Sequence, residues 1–373
     1  KWVSSKITTA LMAAMVVTCM TKASGALADT LITNARIIDG TGAPVVLGSV
    51  RLSGDRIAAL GDVAPNDADH IIDANGLVLA PGFIDTHSHS DWLILAERDA
   101  LAKITQGITT AVVGQDGDSP YPLASFYAAL EAASAKINVA AYAGHNTLRD
   151  EVMGADFKRP ASNEEIKAMS ALLEQELAAG AVGLSTGLEY EPGIHSEMRE
   201  VVQLAQLTAD AGGRYISHIR SEDRWFDDAL DEIIEIGRLT GMPVQISHLK
   251  LAMASQWGRA PWIIQRLDAA REEGVELTAD IYPYTYWQSH MMVLLPDRDP
   301  MDLAAIDFVM AELAPPDGII FTHFPAEPDY VGMTLTEIAA ARKQRPAEAF
   351  SALAQMSIGH EAATGEMGDM MIG

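Results

Sequence analysis

The sequence predicts an α/β protein: a (β/α)8 barrel of the TIM type joined to a small β-sandwich. Two observations predict this fold. From Pro81 onward, short apolar segments with strand character alternate with helical segments, which is the pattern of parallel βα units. The helical segments also end at glycine, as helices commonly do. They are predicted at 164–179, 196–211, 222–240 and 261–273.

Seven strands are predicted, and several of them end in histidine. In chain order they are GFIDTHSH, TTAVVGQD, INVAAYAGH, AVGLSTGLEY, RYISHIR, PVQISHLK and ELTADIYPYT. A doubly wound open sheet is the alternative, but it gives no reason to place histidines at strand ends. A barrel brings all of those ends to one face. No eighth strand is obvious before Gly373, so we expect a fragment that lacks the last barrel strand.

The region before the barrel has a different character. Residues 29–80 contain short β-type runs separated by Gly, Asp and Asn turns, which predict a small antiparallel unit, the N-terminal part of the β-sandwich domain. The barrel is predicted for 81–373. Turn-rich sequence around 287–345 interrupts the βα alternation and is predicted to be an insertion over the barrel mouth.

Residues 1–28 are predicted to be a secretory signal peptide. Two lysines precede an apolar run over 10–20, and small residues lead to a cleavage site after Ala28. The run is shorter than the about 20 residues that a membrane-spanning helix needs. An uncleaved anchor and lipid attachment at Cys19 are the alternatives. We expect export to the periplasm or secretion, and because Cys19 is the only cysteine, a mature chain without disulfides.

Composition restricts the partners. Apolar residues make up 49% of the chain and charged residues 21%, as in ordinary globular proteins. With 51 acidic against 26 basic residues the formal net charge is −25, which disfavours binding to nucleic acid and to anionic lipid. We expect a small-molecule substrate, no nucleic acid partner and no membrane association after signal cleavage. Composition leaves the oligomeric state open.

Four histidines at strand ends predict a metal site. His87 and His89 are two residues apart on the first strand, so their side chains point to the same side. His218 and His248 end the fifth and sixth strands, which are neighbours in a barrel. Imidazoles gathered in this way can bind zinc-type ions, and four can hold two ions if an anionic group bridges them. The alternative for a single strand-end histidine is a hydrogen-bonded polar residue.

The motifs resemble those of a known family. PGFIDTHSHSD, GITTAVVGQDG, GLSTGLEY, SHIRSE, ISHLK and DIYPYT are similar in order and spacing to the metal-dependent amidohydrolase superfamily, and within it to the N-acyl-D-amino-acid deacylases (D-aminoacylases). The resemblance implies a (β/α)8 barrel with a small β-sandwich and one or two Zn²⁺ ions. It also implies that His87 and His89 bind the more buried metal, and His218 and His248 the second.

The resemblance leaves the bridging ligand open. Many amidohydrolases use a carboxylated lysine on strand four, and D-aminoacylases use a cysteine after strand two, but this sequence has neither. Asp116 follows strand two, and Glu189 ends strand four. We favour Glu189 slightly, because a long carboxylate can reach the place of a carboxylated lysine. The family's catalytic aspartate ends strand eight, so we expect no catalytic residue within this chain and an inactive fragment.

Lys250 is the main candidate for binding substrate. It lies two residues after His248, where D-aminoacylase-like enzymes pair a lysine with the α-carboxylate of the substrate. Other strand-end residues are further candidates, with packing as an equal alternative: Arg220, Tyr190, Tyr282 and Tyr284. We assign no role to His145, and the remaining histidines are expected in loops: His195, His290 and His323.

The resemblance implies hydrolysis of the amide bond of N-acyl-D-amino acids, or of dipeptides with a C-terminal D-residue, by a metal-activated water. A cyclic-amide hydrolase of the dihydroorotase or hydantoinase type is one alternative. The missing strand-four lysine and the SHLK motif disfavour it. A catalytically degenerate metal-binding protein of the cell envelope is the other.

Overall fold

The computed structural model describes residues 28–373 of the chain. All of the predicted signal peptide except its last position lies outside the described residues. The chain divides into two compact units between Pro81 and Gly82, and each is described by itself. Within the described part of the chain, no helix is both long enough and apolar enough to cross a membrane.

The N-terminal unit is one mixed β-sheet. Its strands are β1 (Thr30–Ile37), β2 (Val46–Ser53), β3 (Arg56–Gly61), β4 (His70–Asp73) and β5 (Val78–Leu79). β1, β2 and β3 pair in antiparallel fashion, but β4 and β5 pair with β1 in parallel. The expectation of an antiparallel unit is therefore wrong for β4 and β5, because the chain crosses to the other side of β1 after β3. Residues 28–81 contain no second sheet, so the sandwich stays a prediction.

The second unit begins with parallel strands in chain order, which confirms the predicted α/β fold of βα units. The strands are β6 (Phe83–Asp85), β7 (Ile108–Val113), β8 (Asn138–Ala141), β9 (Ala143–Gly144), β10 (Gly183–Gly187), β11 (Arg214–His218), β12 (Val244–Ile246) and β13 (Leu277–Ala279). Neighbours pair in parallel from β6 to β8 and from β9 to β13. Only Tyr142 separates β8 from β9, so the two form one interrupted strand.

The parallel sheet curves strongly. His87, just after β6, lies 3.2 Å from a carboxylate oxygen of Asp280, just after β13, so the ends of the first and last parallel strands meet. This curvature gathers the carboxyl ends of the strands on one face, as expected for a barrel. Closure of the barrel stays a prediction.

Helices follow the parallel strands and cover the sheet. They are α1 (Leu101–Ile104), α2 (Leu123–Ala132), α3 (His145–Met153), α4 (Asn163–Ala179), α5 (Met198–Asp210), α6 (Phe226–Thr240) and α7 (Ala260–Glu272). The predicted helix ends agree to within two residues, but α6 begins four residues later than predicted. Its predicted first turn is instead a tight turn in which Ser221 Oγ accepts hydrogen bonds from the backbone N–H groups of Asp223 and Trp225.

Residues after Trp287 form an ordered layer of their own. It contains β14 (Trp287–His290), α8 (Leu303–Glu312), β15 (Ile319–His323), α9 (Leu335–Arg342), α10 (Pro346–Thr364) and β16 (Asp369–Ile372). β16 lies between β14 and β15 and is antiparallel to both, so it does not join the parallel sheet. Phe321, Phe350 and Ile372 share one buried core, and the layer therefore runs past the predicted end of the insertion at residue 345.

Candidate metal centre

A cavity of about 930 Å³ opens at the carboxyl ends of the parallel strands. Its wall is formed by residues at and just beyond the ends of β6, β7, β10, β11, β12 and β13, where an α/β sheet usually binds ligands, together with residues of β14. The titratable groups that line it are Asp85, His87, His89, Asp116, Asp118, Tyr190, Glu191, His218, Glu222, His248, Lys250, Asp280, Tyr282, Tyr284, Tyr286, His290 and Asp369. All four histidines predicted as metal ligands are therefore on this one wall.

Asp116 is the centre of this group. Its Oδ2 lies 3.2 Å from His89 Nε2, 3.4 Å from His87 Nε2 and 3.5 Å from His248 Nε2. Its Oδ1 is buried and has no hydrogen-bond partner within the described residues. A buried carboxylate oxygen left without a partner is costly, and it is the kind of atom that a metal ion would satisfy.

The backbone of Asp116 is held in an unusual conformation. Its φ of 55° lies in the left-handed region, which is strained for a residue with a side chain. The turn is fixed by Asp91, whose carboxylate accepts a hydrogen bond from Gly114 N at 3.3 Å. Gln115 also fixes it, because its amide donates to Thr86 O at 3.0 Å. The turn thus aims the Asp116 carboxylate at the histidines.

His218 and His248 face each other across the second half of the cluster. Nδ1 of His218 and Nε2 of His248 are 3.0 Å apart, and Nε2 of His218 lies 3.0 Å from Glu189 Oε2. His248 also has a left-handed backbone, with φ of 34°, and its N–H donates to Asp280 Oδ1 at 2.6 Å. Two imidazole nitrogens this close together are positioned to share one metal ion once each presents its lone pair.

The preference for Glu189 as the bridging ligand is not supported. Among the described residues, three sets have ligand atoms close enough to hold one metal ion: His87 with His89 and Asp116, Asp116 with His218 and His248, and Glu189 with His218 and Glu222. Asp116 belongs to both of the sets that contain two histidines, whereas the set with Glu189 contains only one histidine, His218. The turn after β7 brings Asp116 between the two pairs, and this geometry has no simple sequence signal.

Two carboxylates behind the histidines were missed by the sequence analysis. Asp280 accepts from His87 Nδ1 at 3.2 Å and from the Gln245 amide at 2.6 Å. Glu222 accepts from His248 Nδ1 at 2.7 Å. Carboxylates in this position orient metal-binding histidines and fix their tautomers. Both residues stand in quoted motifs, Asp280 directly after the seventh strand and Glu222 four residues after His218, and that placement was the available signal.

These carboxylates shift the pKa values of the histidines. Burial lowers the pKa of His87, but the hydrogen bonds that its ring donates to Asp116 and Asp280 outweigh burial and raise the value to about 10. At His248, burial is likewise outweighed, chiefly by Glu222, and the pKa rises to about 9. At His218 burial is the largest effect, and it lowers the pKa to about 3. Without metal, the cluster therefore stabilises positive charge, as expected of a cation site.

Four of the five residues predicted to bind substrate lie on the cavity wall: Lys250, Tyr190, Tyr282 and Tyr284. Lys250 forms an ion pair with Glu222, and its ammonium lies 5.9 Å from the ring centre of Tyr282. The ring of Tyr190 packs against His218, with 4.3 Å between ring centres. Tyr284 also lines the cavity but is 75% exposed.

The predicted substrate contact of Arg220 is wrong in this structure. Arg220 does not line the cavity, because its guanidinium turns toward α6 and binds both carboxylate oxygens of Glu232 at 2.8 Å. It also donates to the backbone oxygen of Ser196 at 3.0 Å. A strand-end position was not sufficient to predict its direction, since the chain turns sharply at Ser221.

Of the four other histidines that the sequence analysis considered, His290 lines the cavity and the rest lie elsewhere in the fold. His290 lies on β14 and lines the cavity, so its prediction as a loop residue is wrong. His323 ends β15, and His195 lies in a short 3₁₀ turn. His145 is fully buried outside the cavity, where its Nε2 is 2.7 Å from Glu200. His290 was missed because β14 is short and contains only one large apolar residue, Trp287.

The fold and site define an α/β protein with a four-histidine, carboxylate-rich centre at its strand ends. The family model described as Amidohydrolase family matches residues 70–310, which is more than half of the chain. The chain therefore belongs to the amidohydrolase family.

Named relatives are similar over most of this chain. An N-acyl-D-glutamate deacylase of Alcaligenes xylosoxydans xylosoxydans is 37% identical over 334 residues, which cover 84% of this chain and 65% of that protein. A D-aminoacylase of the same organism is 37% identical over 279 residues, covering 69% of this chain and 57% of that protein. The chain thus spans somewhat less than two thirds of the length of these relatives.

A solved structure has the same fold. The N-acyl-D-glutamate deacylase of Bordetella bronchiseptica, crystallised with zinc and a phosphonate mimic of the tetrahedral intermediate, superposes with a TM-score of 0.78 at 34% identity. The match covers 92% of this chain and 71% of that one. The prediction of membership in the amidohydrolase superfamily is confirmed, and the similarity lies in the deacylase branch.

Proposed function

We propose that this protein hydrolyses the amide bond of N-acyl-D-amino acids with the help of one or two zinc ions. The observation that carries the proposal is Asp116, whose Oδ2 lies within 3.5 Å of three histidines while its Oδ1 is buried without a partner. The similarity to the D-glutamate deacylases and the D-aminoacylase supports the choice of substrate.

The residues present fit a metal pair. His87 and His89 would hold one ion and His218 and His248 the other, with Asp116 shared between them. Imidazole nitrogens and a carboxylate are the donors that zinc prefers when no cysteine is available. When bound, zinc would supply an activated water and polarise the scissile carbonyl.

The chain's own residues would position the substrate. Lys250 would bind the α-carboxylate of the amino acid through a charge-assisted contact. Burial raises the pKa of Tyr190 well above its usual value, so its hydroxyl stays protonated and can donate a hydrogen bond to the carbonyl oxygen as charge develops there. Asp280 would hold His87 in one orientation through Nδ1. The aromatic rings of Tyr282 and Tyr284 would border the substrate and limit access of water.

A substrate panel tests the proposal. Metal-depleted and zinc-reconstituted full-length protein would be assayed with N-acetyl-D-amino acids, their L-enantiomers, dipeptides with a C-terminal D-residue, hydantoin and dihydroorotate. We expect zinc-dependent release of free D-amino acids. Turnover of the cyclic amides alone would refute the deacylase assignment, and zinc binding without any turnover would favour a non-catalytic metal-binding protein.

We further propose that the protein is exported to the periplasm or secreted. The sequence of residues 1–28 supports this, with lysines before an apolar run and small residues before Ala28. Expression in a bacterial host, fractionation and N-terminal sequencing would test it. A new N-terminus at Asp29 in the exported fraction is expected, whereas an uncleaved chain retained in the cytoplasm would refute the proposal.

A further inference from the structure

Glu222 is a buried carboxylate whose two oxygens face two different parts of the candidate site. Its Oε1 lies 2.7 Å from His248 Nδ1, and its Oε2 forms an ion pair with the ammonium of Lys250. The side chain is only 7% exposed. One residue thus contacts both a candidate metal ligand and the candidate cation for the substrate carboxylate.

The position of Glu222 is fixed by the backbone around it. The turn after β11 is closed by Ser221 Oγ, which accepts from the N–H groups of Asp223 at 3.2 Å and Trp225 at 3.1 Å. The carbonyl of Glu222 accepts from Ala252 N at 3.0 Å, which ties this turn to the segment after β12. Glu222 is therefore on a rigid support shared by the loops that carry His248 and Lys250.

The contact between Glu222 and His248 gives the two ring nitrogens of His248 different roles. Nε2 faces His218 at 3.0 Å and Asp116 at 3.5 Å, whereas Nδ1 faces Glu222 at 2.7 Å and the ammonium of Lys250 at 3.0 Å. Of these two neighbours of Nδ1, only Glu222 can accept a hydrogen bond from it. A carboxylate beside Nδ1 holds a proton there and leaves the Nε2 lone pair directed at the cluster, which is how histidines are prepared for metal.

The contact with Lys250 fixes the ammonium at the cavity wall. Lys250 Nζ is also 3.4 Å from the backbone oxygen of His248 and 5.8 Å from the ring centre of Trp287. A free lysine side chain has several rotatable bonds, and ordering it before substrate arrives reduces the entropy lost on binding.

We propose that Glu222 is a positioning residue that couples the second metal position to substrate binding by orienting His248 and Lys250 together. The inference rests on the proposed function for its Lys250 half. A competing assignment is direct ligation, since Glu222 also forms a group with Glu189 and His218. The contacts with Nδ1 of His248 and with Lys250 occupy both of its oxygens and favour the positioning role.

The first measurement is zinc affinity, by chelator competition on metal-free protein. E222Q should lower the affinity for one of two zinc ions by about 10- to 100-fold, which is the usual effect of losing a carboxylate that orients a metal-binding histidine. Both ions should still bind at saturating zinc. E232Q is the matched control, because Glu232 pairs with Arg220 outside the cavity, and it should bind zinc as the wild type does.

The second measurement is steady-state kinetics at saturating zinc. E222Q should raise KM for an N-acyl-D-amino acid by about tenfold, as expected when a charge-assisted contact loses its alignment, with a smaller change in kcat. K250M should raise KM as well, and the double variant E222Q/K250M should have the KM of K250M alone, because the two residues act through one contact.

Unchanged zinc affinity or unchanged KM in E222Q would overturn the coupling. Complete loss of one zinc at saturation would show direct ligation and would also overturn it. If E222Q does not fold by circular dichroism, E222D replaces it, since a shorter carboxylate keeps the charge but cannot reach both partners. Wild-type protein that binds zinc yet hydrolyses no N-acyl-D-amino acid refutes the proposed function and the Lys250 half, while the zinc measurements still decide the His248 half.

Discussion

Zinc binding to the metal-free protein should release about two protons at pH 7. Against the opposing effect of burial, Asp116 and Asp280 raise the pKa of His87 to about 10. Glu222 and Asp116 together raise that of His248 to about 9, again against burial. Both side chains are therefore in the cationic imidazolium form at pH 7, with a proton on each ring nitrogen, and each must lose one proton before that nitrogen can bind a metal ion.

The pKa values fix the size and sign of the effect. A pH of 7 is about three units below the pKa of His87 and about two units below that of His248, so each side chain is roughly 99% or more protonated. His218, with a pKa of about 3, is neutral and releases nothing. Lowering the pH strengthens the competition from protons. The combined zinc affinity should fall by about 100-fold per pH unit below pH 8 and level off above pH 10.

Isothermal titration calorimetry in buffers of different ionisation heat measures the released protons directly. The observed binding enthalpy should vary linearly with buffer ionisation enthalpy, with a slope near two. D280N should give a smaller slope at pH 8 to 9, because it removes one of the two carboxylates that face His87. E232Q should match the wild type. A wild-type slope below one would refute the assignment of His87 and His248 as protonated ligands.

Three further changes have defined outcomes. At saturating zinc, K250M should raise KM at least about tenfold for substrates with a free carboxylate but not for their amides; equal effects on both would refute a carboxylate contact. E200Q should lower the free energy of unfolding by roughly 3–5 kcal/mol in urea, since buried Arg149 loses its charged partner; a loss under about 1 kcal/mol would contradict this. G117A should weaken zinc binding in chelator competition, because φ is +88° and an added Cβ would meet a side-chain oxygen at 2.5 Å. G154A is the matched control and should leave zinc binding unchanged, because Gly154 also has a positive φ, of +52°, but open space around an added Cβ.

The parallel part of the fold was predictable because its signals are local. Apolar strands with histidine or aspartate ends, and helices that end at Gly180 and Gly241, each occupy one short window of sequence. The layer that begins at residue 287 was less predictable, because β14 and β16 are only four residues long and β16 pairs with two strands, β14 and β15, that are distant in sequence. Pairing between segments so far apart in sequence has no local periodicity.

The candidate site was predictable in its ligands but not in their arrangement. The spacing of His87 and His89 predicted that both side chains point the same way from one strand. β6 ends at Asp85, so the two histidines lie in the turn after it, but their ring centres are 5.4 Å apart, as the predicted metal site requires. Asp116 and Glu189 are equally acidic strand-end residues, and only the left-handed turn at Asp116 decides which lies between the histidine pairs. Arg220 shows the opposite error, since a nearby Glu232 on α6 draws it away from the cavity.

The left-handed backbone at Asp116 and at His248 has a consequence for the protein inside a cell. Non-glycine residues in this region lower the free energy of unfolding by about 1–3 kcal/mol each. A metal ion that binds only the folded state would raise the free energy of unfolding and so offset this loss, but only while free metal is available. A change of this size alters the fraction of molecules open to proteases severalfold. Scarcity of zinc would therefore reduce the abundance of the protein as well as its metal occupancy, and the rate at which proteases degrade the chain would depend on the zinc supply.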